Sequence, residues 1–341
     1  MSISTQEMAM TVTELTAPGK GILAADESLG TIEKRLREID VANTDEARRD
    51  YRELLFSTPG LGDFISGVIL FEETLKQKSA AGAPLPELLK EQGIVPGIKV
   101  DMGTVPLPNF PGETQTQGLD DLAQRLCEYK QLGARFAKWR AVIHIGAGIP
   151  TPVAIATNAY ALARYAAICQ EQALVPIVEP EVLMDGKHTL ATSARVTEEV
   201  LHAVFHALHL QRVVLEYMIL KPNMVESGRE CPASASPQQV AQATLICLRR
   251  TVPAAVPGIN FLSGGQSETT ATANLHVLNT VAERQPWGLS FSYGRALQAS
   301  VLQAWRGKAA NKSLAQQALS KRARLNSAAT QGKYTAAMES E

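Results

Sequence analysis

The stretch Arg135–Glu181 reads RFAKWRAVIHIGAGIPTPVAIATNAYALARYAAICQEQALVPIVEPE. It opens with a short, mainly apolar segment, Arg135–Val142, and closes with another, Val175–Glu181. Between them Pro152–Gln170 is rich in alanine and long enough for a helix. A strand, a helix and a second strand at this spacing make a βαβ unit, whose two strands run parallel.

The same alternation extends in both directions. Six further segments read as buried strands: Gly21–Asp26 (GILAAD), Phe64–Leu70 (FISGVIL), Ile94–Asp101 (IVPGIKVD), Glu216–Asn223 (EYMILKPN), Gly258–Gly264 (GINFLSG) and Trp287–Gly294 (WGLSFSYG). Helical spacing recurs in Leu119–Leu132, where Leu122, Leu126 and Tyr129 share a face, and in Thr197–Leu210 and Pro237–Arg250. Eight such units predict an α/β fold, a closed (β/α)8 TIM barrel. No repeat or low-complexity linker divides the 341 residues. The expectation is one domain over 1–341, with about 306–341 as a C-terminal helical extension and short tail.

Composition sets bounds on function. The chain is 45% hydrophobic and 20% charged, with a formal net charge of -1. It has no basic excess to attract nucleic acid or an acidic membrane. The basic stretch Arg306–Lys333 reads as a solvated helix face. Cys127, Cys169, Cys231 and Cys247 form no C-x-x-C pair, which fits a reducing compartment. Met1–Lys20 lacks the charge-then-apolar order of a secretory signal, and no run of 18 apolar residues occurs. No cysteine spacing looks like a zinc site, and the expected location is the cytoplasm.

Chemically active residues fall at the strand ends: Asp26, Lys99, Lys138, Arg140, Glu179, Glu181, Lys221, Ser263 and Arg295. Parallel strands in a barrel bring those ends to one rim, where barrel enzymes hold their chemistry. Lys138 and Arg140 are two apart and share a side, as do Glu179 and Glu181. Lys221 follows an apolar strand. Desolvation and a nearby cation such as Lys138 favour its neutral amine. A neutral amine attacks a ketone to give an iminium, an electron sink for cleavage one carbon away. A carboxyl group such as Glu179 would shuttle protons, and Asp26 would act as base. Two loops, Leu262–Gly265 and Ser292–Arg295, have the glycines and polar groups of a barrel phosphate site. Arg35 and Lys99 would hold a second phosphate across the mouth.

Two patterns are set aside. LSGGQ at Leu262–Gln266 matches the signature of ABC-type ATPases, but the required G-x-x-x-x-G-K-[ST] loop is missing from the sequence. His202, His206 and His209 share a helix face but lie on a predicted outer helix, far from any strand end.

Seven motifs in order carry a family pattern: GILAADES (Gly21–Ser28), GIKVD (Gly97–Asp101), FAKWR (Phe136–Arg140), PIVEPE (Pro176–Glu181), LKPNMV (Leu220–Val225), FLSGGQSE (Phe261–Glu268) and FSYGRALQ (Phe291–Gln298). From about Lys20 to Tyr334 the chain resembles class I fructose-bisphosphate aldolases. The resemblance implies a Schiff base on Lys221, a proton shuttle at Glu179 tuned by Glu181 and Lys138, and C3–C4 cleavage assisted by Asp26. It implies a C1 phosphate held by Ser263, Gly264, Gly294 and Arg295, in the loops that also contain Gly265 and Ser292. Ser28, Arg35, Lys99 and Arg140 would contact the distal part of the sugar, including its C6 phosphate. Thr31 stands where a serine is common and keeps the hydroxyl. The implied partners are phosphorylated ketose and triose phosphate substrates. The implied assembly is a homotetramer, working in glycolysis and gluconeogenesis with no metal and no cofactor. Animal members continue past the stretch matching Gly332–Thr335 and end in a tyrosine that assists proton transfer; here that stretch is soon followed by Glu341. Two alternatives remain beside this reading. One is an aldolase for a related phosphorylated ketose, such as sedoheptulose 1,7-bisphosphate or fructose 1-phosphate. The other is a non-catalytic scaffold on the same fold.

Overall fold

The computed structural model describes residues 3–281 and 285–341. The first two residues of the segment read as lacking a secretory signal lie outside them. In chain order the strands are β1 (Gly21–Ala25), β2 (Ile65–Leu70), β3 (Val95–Lys99), β4 (Thr104–Pro106), β5 (Thr114–Thr116) and β6 (Phe136–Ile143). β7 (Val175–Val182), β8 (Ile219–Leu220), β9 (Gly258–Phe261) and β10 (Gly288–Tyr293) complete the set. Eight of them close a parallel barrel in the order β1-β10-β9-β8-β7-β6-β3-β2, while β4 and β5 form a separate antiparallel hairpin. The predicted (β/α)8 architecture is present.

The period of two along a strand explains how the barrel changes character from base to rim. On β6, Phe136 belongs to the apolar inner cluster, and Lys138 and Arg140 line the cavity above it. Ala137 and Trp139 face the other way, and the Trp139 ring stacks on Tyr165 of helix Pro152–Glu171 at 5.6 Å. On β7, Val175 and Ile177 are apolar and inward, and Glu179 and Glu181 follow at the rim. Helix Ile3–Leu15 plugs the base with Met8, Val12 and Leu15. Gly97 leaves room for the Phe136 ring, because a Cβ there would lie 2.2 Å from it.

Three local expectations change. The strand expected at Glu216–Asn223 shrinks to β8, preceded by a 3-10 turn at Leu215–Tyr217. The Gln170 amide donates to the carbonyls of Val214 and Tyr217, which holds the turn. Pro222, lacking an N–H, ends the ladder just after Lys221 donates to the Val178 carbonyl at 2.8 Å. The helix expected at Thr197–Leu210 begins at Leu190, because the Thr189 hydroxyl accepts from the Thr192 N–H and caps it there. The basic C-terminal stretch is not a uniformly solvated face. Arg322, on helix Lys312–Thr330, is only 4% exposed. It donates to the Glu268 carbonyl and the Thr272 hydroxyl and pairs with Glu339 at 2.5 Å. His202, His206 and His209 are exposed on their outer helix.

Candidate active site

A cavity of about 820 Å³ opens at the C-terminal ends of the barrel strands. Every site residue named from the sequence lines it: Asp26, Ser28, Thr31, Arg35, Lys99, Lys138, Arg140, Glu179, Glu181, Lys221, Ser263, Gly264, Gly265, Ser292, Gly294 and Arg295.

At its centre is a buried chain of alternating charges. The Glu179 carboxylate stands between two lysines, with Oε1 at 3.3 Å from Lys221 Nζ and Oε2 at 3.4 Å from Lys138 Nζ. Lys138 Nζ also lies 2.8 Å from Asp26 and 3.7 Å from Asp101. Asp101 in turn takes Lys99 at 2.7 Å and accepts weakly from the Arg140 N–H at 3.4 Å. Arg140 pairs with Glu181. Burying charge is costly, and this arrangement offsets the cost by giving each buried ion an opposite neighbour.

The electrostatics follow from this pattern. Burial alone would raise the Asp26 carboxyl, but the charges of Lys138, Lys221 and Lys99 outweigh it and hold Asp26 well below the usual carboxylate range. Burial would lower the Lys138 ammonium, but Asp26, Glu179 and Asp101 outweigh it and hold Lys138 well above the usual lysine range. Asp101 is lowered by Lys138 and Lys99 against its own burial. At neutral pH, Asp26 is therefore an anion and Lys138 a cation beside Glu179 and Lys221.

The polar floor for an anion lies on the far side. Gly264 and Gly265 take φ values of +56° and +85° after β9, a turn that favours glycine. Ser292 Oγ is buried and has no hydrogen-bond partner among the described residues, so its hydrogen-bonding capacity is unspent there. Gly294 precedes helix Arg295–Trp305, which turns its N-terminus and its first residue, Arg295, toward the same cavity. At the end of β1, the hydroxyls of Ser28 and Thr31 lie 3.1 Å apart at the start of helix Leu29–Arg37.

Arg35 and Lys99 line the same cavity, and Arg35 also approaches the loop after β10. Its Nη2 lies 3.9 Å from where a Gly294 Cβ would be, because β1 neighbours β10 in the closed barrel. It pairs there with Glu27, whereas Lys99 sits on β3 against Asp101.

Sequence reasoning assigned no role to two acids of this site. Glu27 bridges Arg35 and Arg52, the latter at 2.7 Å, and accepts from Gln298 at 3.0 Å. Asp101 joins Lys99 to Lys138. Both stand inside quoted motifs, GILAADES and GIKVD, and that was the available signal. Their partners come from other strands and helices, which no local pattern reveals. Among the described residues no group of His, Cys, Asp or Glu has the geometry to hold a metal ion.

An amine and an acid buried together at the mouth of a (β/α)8 barrel, beside an anion-binding floor, define a site suited to Schiff-base chemistry on a phosphorylated carbonyl compound. A family model described as fructose-bisphosphate aldolase class-I matches residues 7–341. The non-muscle type fructose-bisphosphate aldolase of Lethenteron camtschaticum is 56% identical over 333 residues, covering 97% of this chain and 92% of that protein. The cytosolic fructose-bisphosphate aldolase 6 of Arabidopsis thaliana is 56% identical over 328 residues, covering 96% and 91%. The fructose-bisphosphate aldolase of Plasmodium falciparum, solved in complex with TRAP and a small-molecule inhibitor, superposes with a TM-score of 0.97 at 54% identity, covering 98% of this chain and 97% of that one. The chain belongs to the class-I fructose-bisphosphate aldolase family.

Proposed function

We propose that this enzyme performs the reversible aldol cleavage of fructose 1,6-bisphosphate through a Schiff base on Lys221. The products are dihydroxyacetone phosphate and glyceraldehyde 3-phosphate. The observation that carries the mechanism is the Glu179 carboxylate, set between Lys221 and Lys138 at 3.3 and 3.4 Å.

In this reading Lys221 Nζ loses its proton to Glu179 and attacks C2 of the open-chain ketose. Glu179 returns a proton to the carbinolamine hydroxyl, which leaves as water and gives the iminium. Lys138 stays charged throughout and pairs with the other oxygen of the Glu179 carboxylate. Asp26 takes the proton of the C4 hydroxyl as the C3–C4 bond breaks. The bonding electrons move into the iminium and leave an enamine, and glyceraldehyde 3-phosphate departs. Protonation of the enamine and hydrolysis of the imine release dihydroxyacetone phosphate. A carboxylate as strongly stabilised as Asp26 is a weak base, so the scheme requires arriving substrate to loosen its contact with Lys138.

Ser263, Gly264, Gly294 and Arg295, with Gly265 and Ser292 in the same loops, are assigned to the C1 phosphate. Ser28, Thr31, Lys99 and Arg140 are assigned to the distal sugar and its C6 phosphate, with Arg35 between the two groups. Glu181 positions Arg140. A homotetramer in the cytoplasm, serving glycolysis and gluconeogenesis, is the physiological setting. The cytosolic name of the Arabidopsis thaliana relative supports that location. No described helix is long and apolar enough to cross a membrane.

The test is cleavage of fructose 1,6-bisphosphate in the presence of EDTA. Activity is expected to persist in the unaltered protein and to fall by at least about 10⁴-fold in Lys221→Met, as expected on losing the nucleophile. Loss of activity with EDTA, or its retention in Lys221→Met, refutes the scheme.

A further inference from the structure

The loop that follows Lys221 carries a cation to which neither the motifs nor the scheme above gives a part. Its backbone runs along the segment that follows β7. The Gly228 N–H donates to the His188 carbonyl, the Arg229 N–H to the Met184 carbonyl, and the Glu230 N–H to the Gly186 carbonyl, at 2.8, 2.8 and 2.9 Å. Arg229 is thereby tied to the loop that continues the strand bearing Glu179 and Glu181.

From that anchor its side chain crosses the turn after β9. Nη2 donates to the Gly264 carbonyl at 2.9 Å. The guanidinium lies so close over Gly265 that a Cβ there would be 1.4 Å from Nη2. Among the described residues its acidic neighbours are Asp185, mostly exposed and 4.0 Å from Nη1, and Glu226, whose carboxyl feels its charge through space. An ion pair at that distance in water holds little of the cation's charge. A guanidinium has five N–H donors in a planar fork, and the Gly264 carbonyl takes one of them. Arg229 lines the cavity together with Ser263, Gly264 and Arg295, and its side chain is 45% exposed.

We propose that Arg229 is a second guanidinium for the phosphate held by the loops after β9 and β10: it clamps the Gly264 carbonyl with one nitrogen and shares the bound anion with Arg295. The inference rests on the phosphate assignment given under the proposed function. Its physical basis is that two planar donors beside unspent hydroxyl and N–H groups bind a phosphate dianion more tightly than one. The clamp also fixes the left-handed turn at Gly264–Gly265 before ligand arrives, so less ordering is left for the binding step.

The experiment compares Arg229→Gln, Arg229→Lys and Arg295→Gln in the full chain. It reads competitive inhibition by inorganic phosphate, together with KM and kcat for fructose 1,6-bisphosphate and fructose 1-phosphate. Arg229→Gln is expected to weaken phosphate inhibition about tenfold, as for loss of a charged hydrogen bond, and to raise KM for both sugars, with kcat within about twofold. Arg229→Lys restores part of the phosphate affinity, because it returns the charge without the fork. Unchanged phosphate inhibition in Arg229→Gln, with clear weakening in Arg295→Gln, overturns the role of Arg229 and leaves the phosphate site standing. Unchanged inhibition in both variants removes the phosphate assignment itself. A fall in kcat and melting temperature with no change in phosphate inhibition also overturns the proposal, since it marks a structural part only.

Discussion

Glu226 shows how burial without a counter-charge differs from burial with one. Asp26 and Asp101 are buried among lysines and held low, whereas Glu226 is pushed up to about 8 by burial that Arg229 and the Asn274 amide do not offset. Its ordinary value is 4.5. Between these two values the unfolded chain binds fewer protons at this site than the folded one, so stability falls as pH rises from about 4.5 to about 8. Glu226→Gln keeps an acceptor for the Asn274 amide and removes the ionisation. Its melting temperature relative to the unaltered protein is expected to climb between about pH 5 and about pH 8, and a constant difference across that range contradicts the assignment. Residue identity was largely legible in the sequence where a chemical type met a strand end, as at Lys138, Glu179 and Lys221. Glu226 and Arg229 were not legible, because each acts through contacts with the turn and helix after β9, which lie more than thirty residues further along the chain.

Elements were legible to the extent that burial imposed a pattern. β6 and β7 have long inward and outward alternations, and their expected and observed limits differ by one residue at most sites. β8 was overread, since its apolar run continues into a turn held by Gln170, a residue on a different element. The hairpin of β4 and β5 was missed because TVP and TQT are too short and too polar to show a period. The glycines of the strands carry information of a different kind. Gly97 is expected to tolerate no side chain, since its Cβ would meet the Phe136 ring at 2.2 Å. Gly97→Ala should therefore cost about 2 kcal/mol in urea unfolding, as overpacked cores do, and adding Phe136→Leu should recover part of that loss. An unaffected midpoint in the single variant contradicts the packing at the barrel base.

Across the whole molecule, the C-terminal helix is part of the barrel's outer layer. Ala315, Leu319, Ala323 and Leu325 of helix Lys312–Thr330 are fully buried in the main hydrophobic cluster. Arg322 fastens this helix to helix Glu268–Thr280, directly behind the turn after β9. Glu268 in turn accepts from the Ser300 N–H and hydroxyl, and so joins the two helices that follow the anion loops. We propose on this basis that residues 1–341 unfold as one cooperative unit, with the extension included. Calorimetry is expected to show a single transition, and removal of residues 312–341 to lower the melting temperature sharply. A separate early transition for the extension contradicts this. The sequence indicated an extension from its position after the eighth strand. It did not indicate the buried arginine, because a basic run looks alike whether its charges meet water or carbonyl groups.

The central claim is the covalent role of Lys221, and trapping tests it most directly. The protein is incubated with dihydroxyacetone phosphate and EDTA, reduced with borohydride, weighed intact by mass spectrometry and mapped by peptide. The account predicts one covalent adduct per chain, on Lys221 and formed in the presence of EDTA. An adduct on another lysine would keep the chemistry and overturn the site, while the lack of any adduct would contradict the Schiff-base account as a whole.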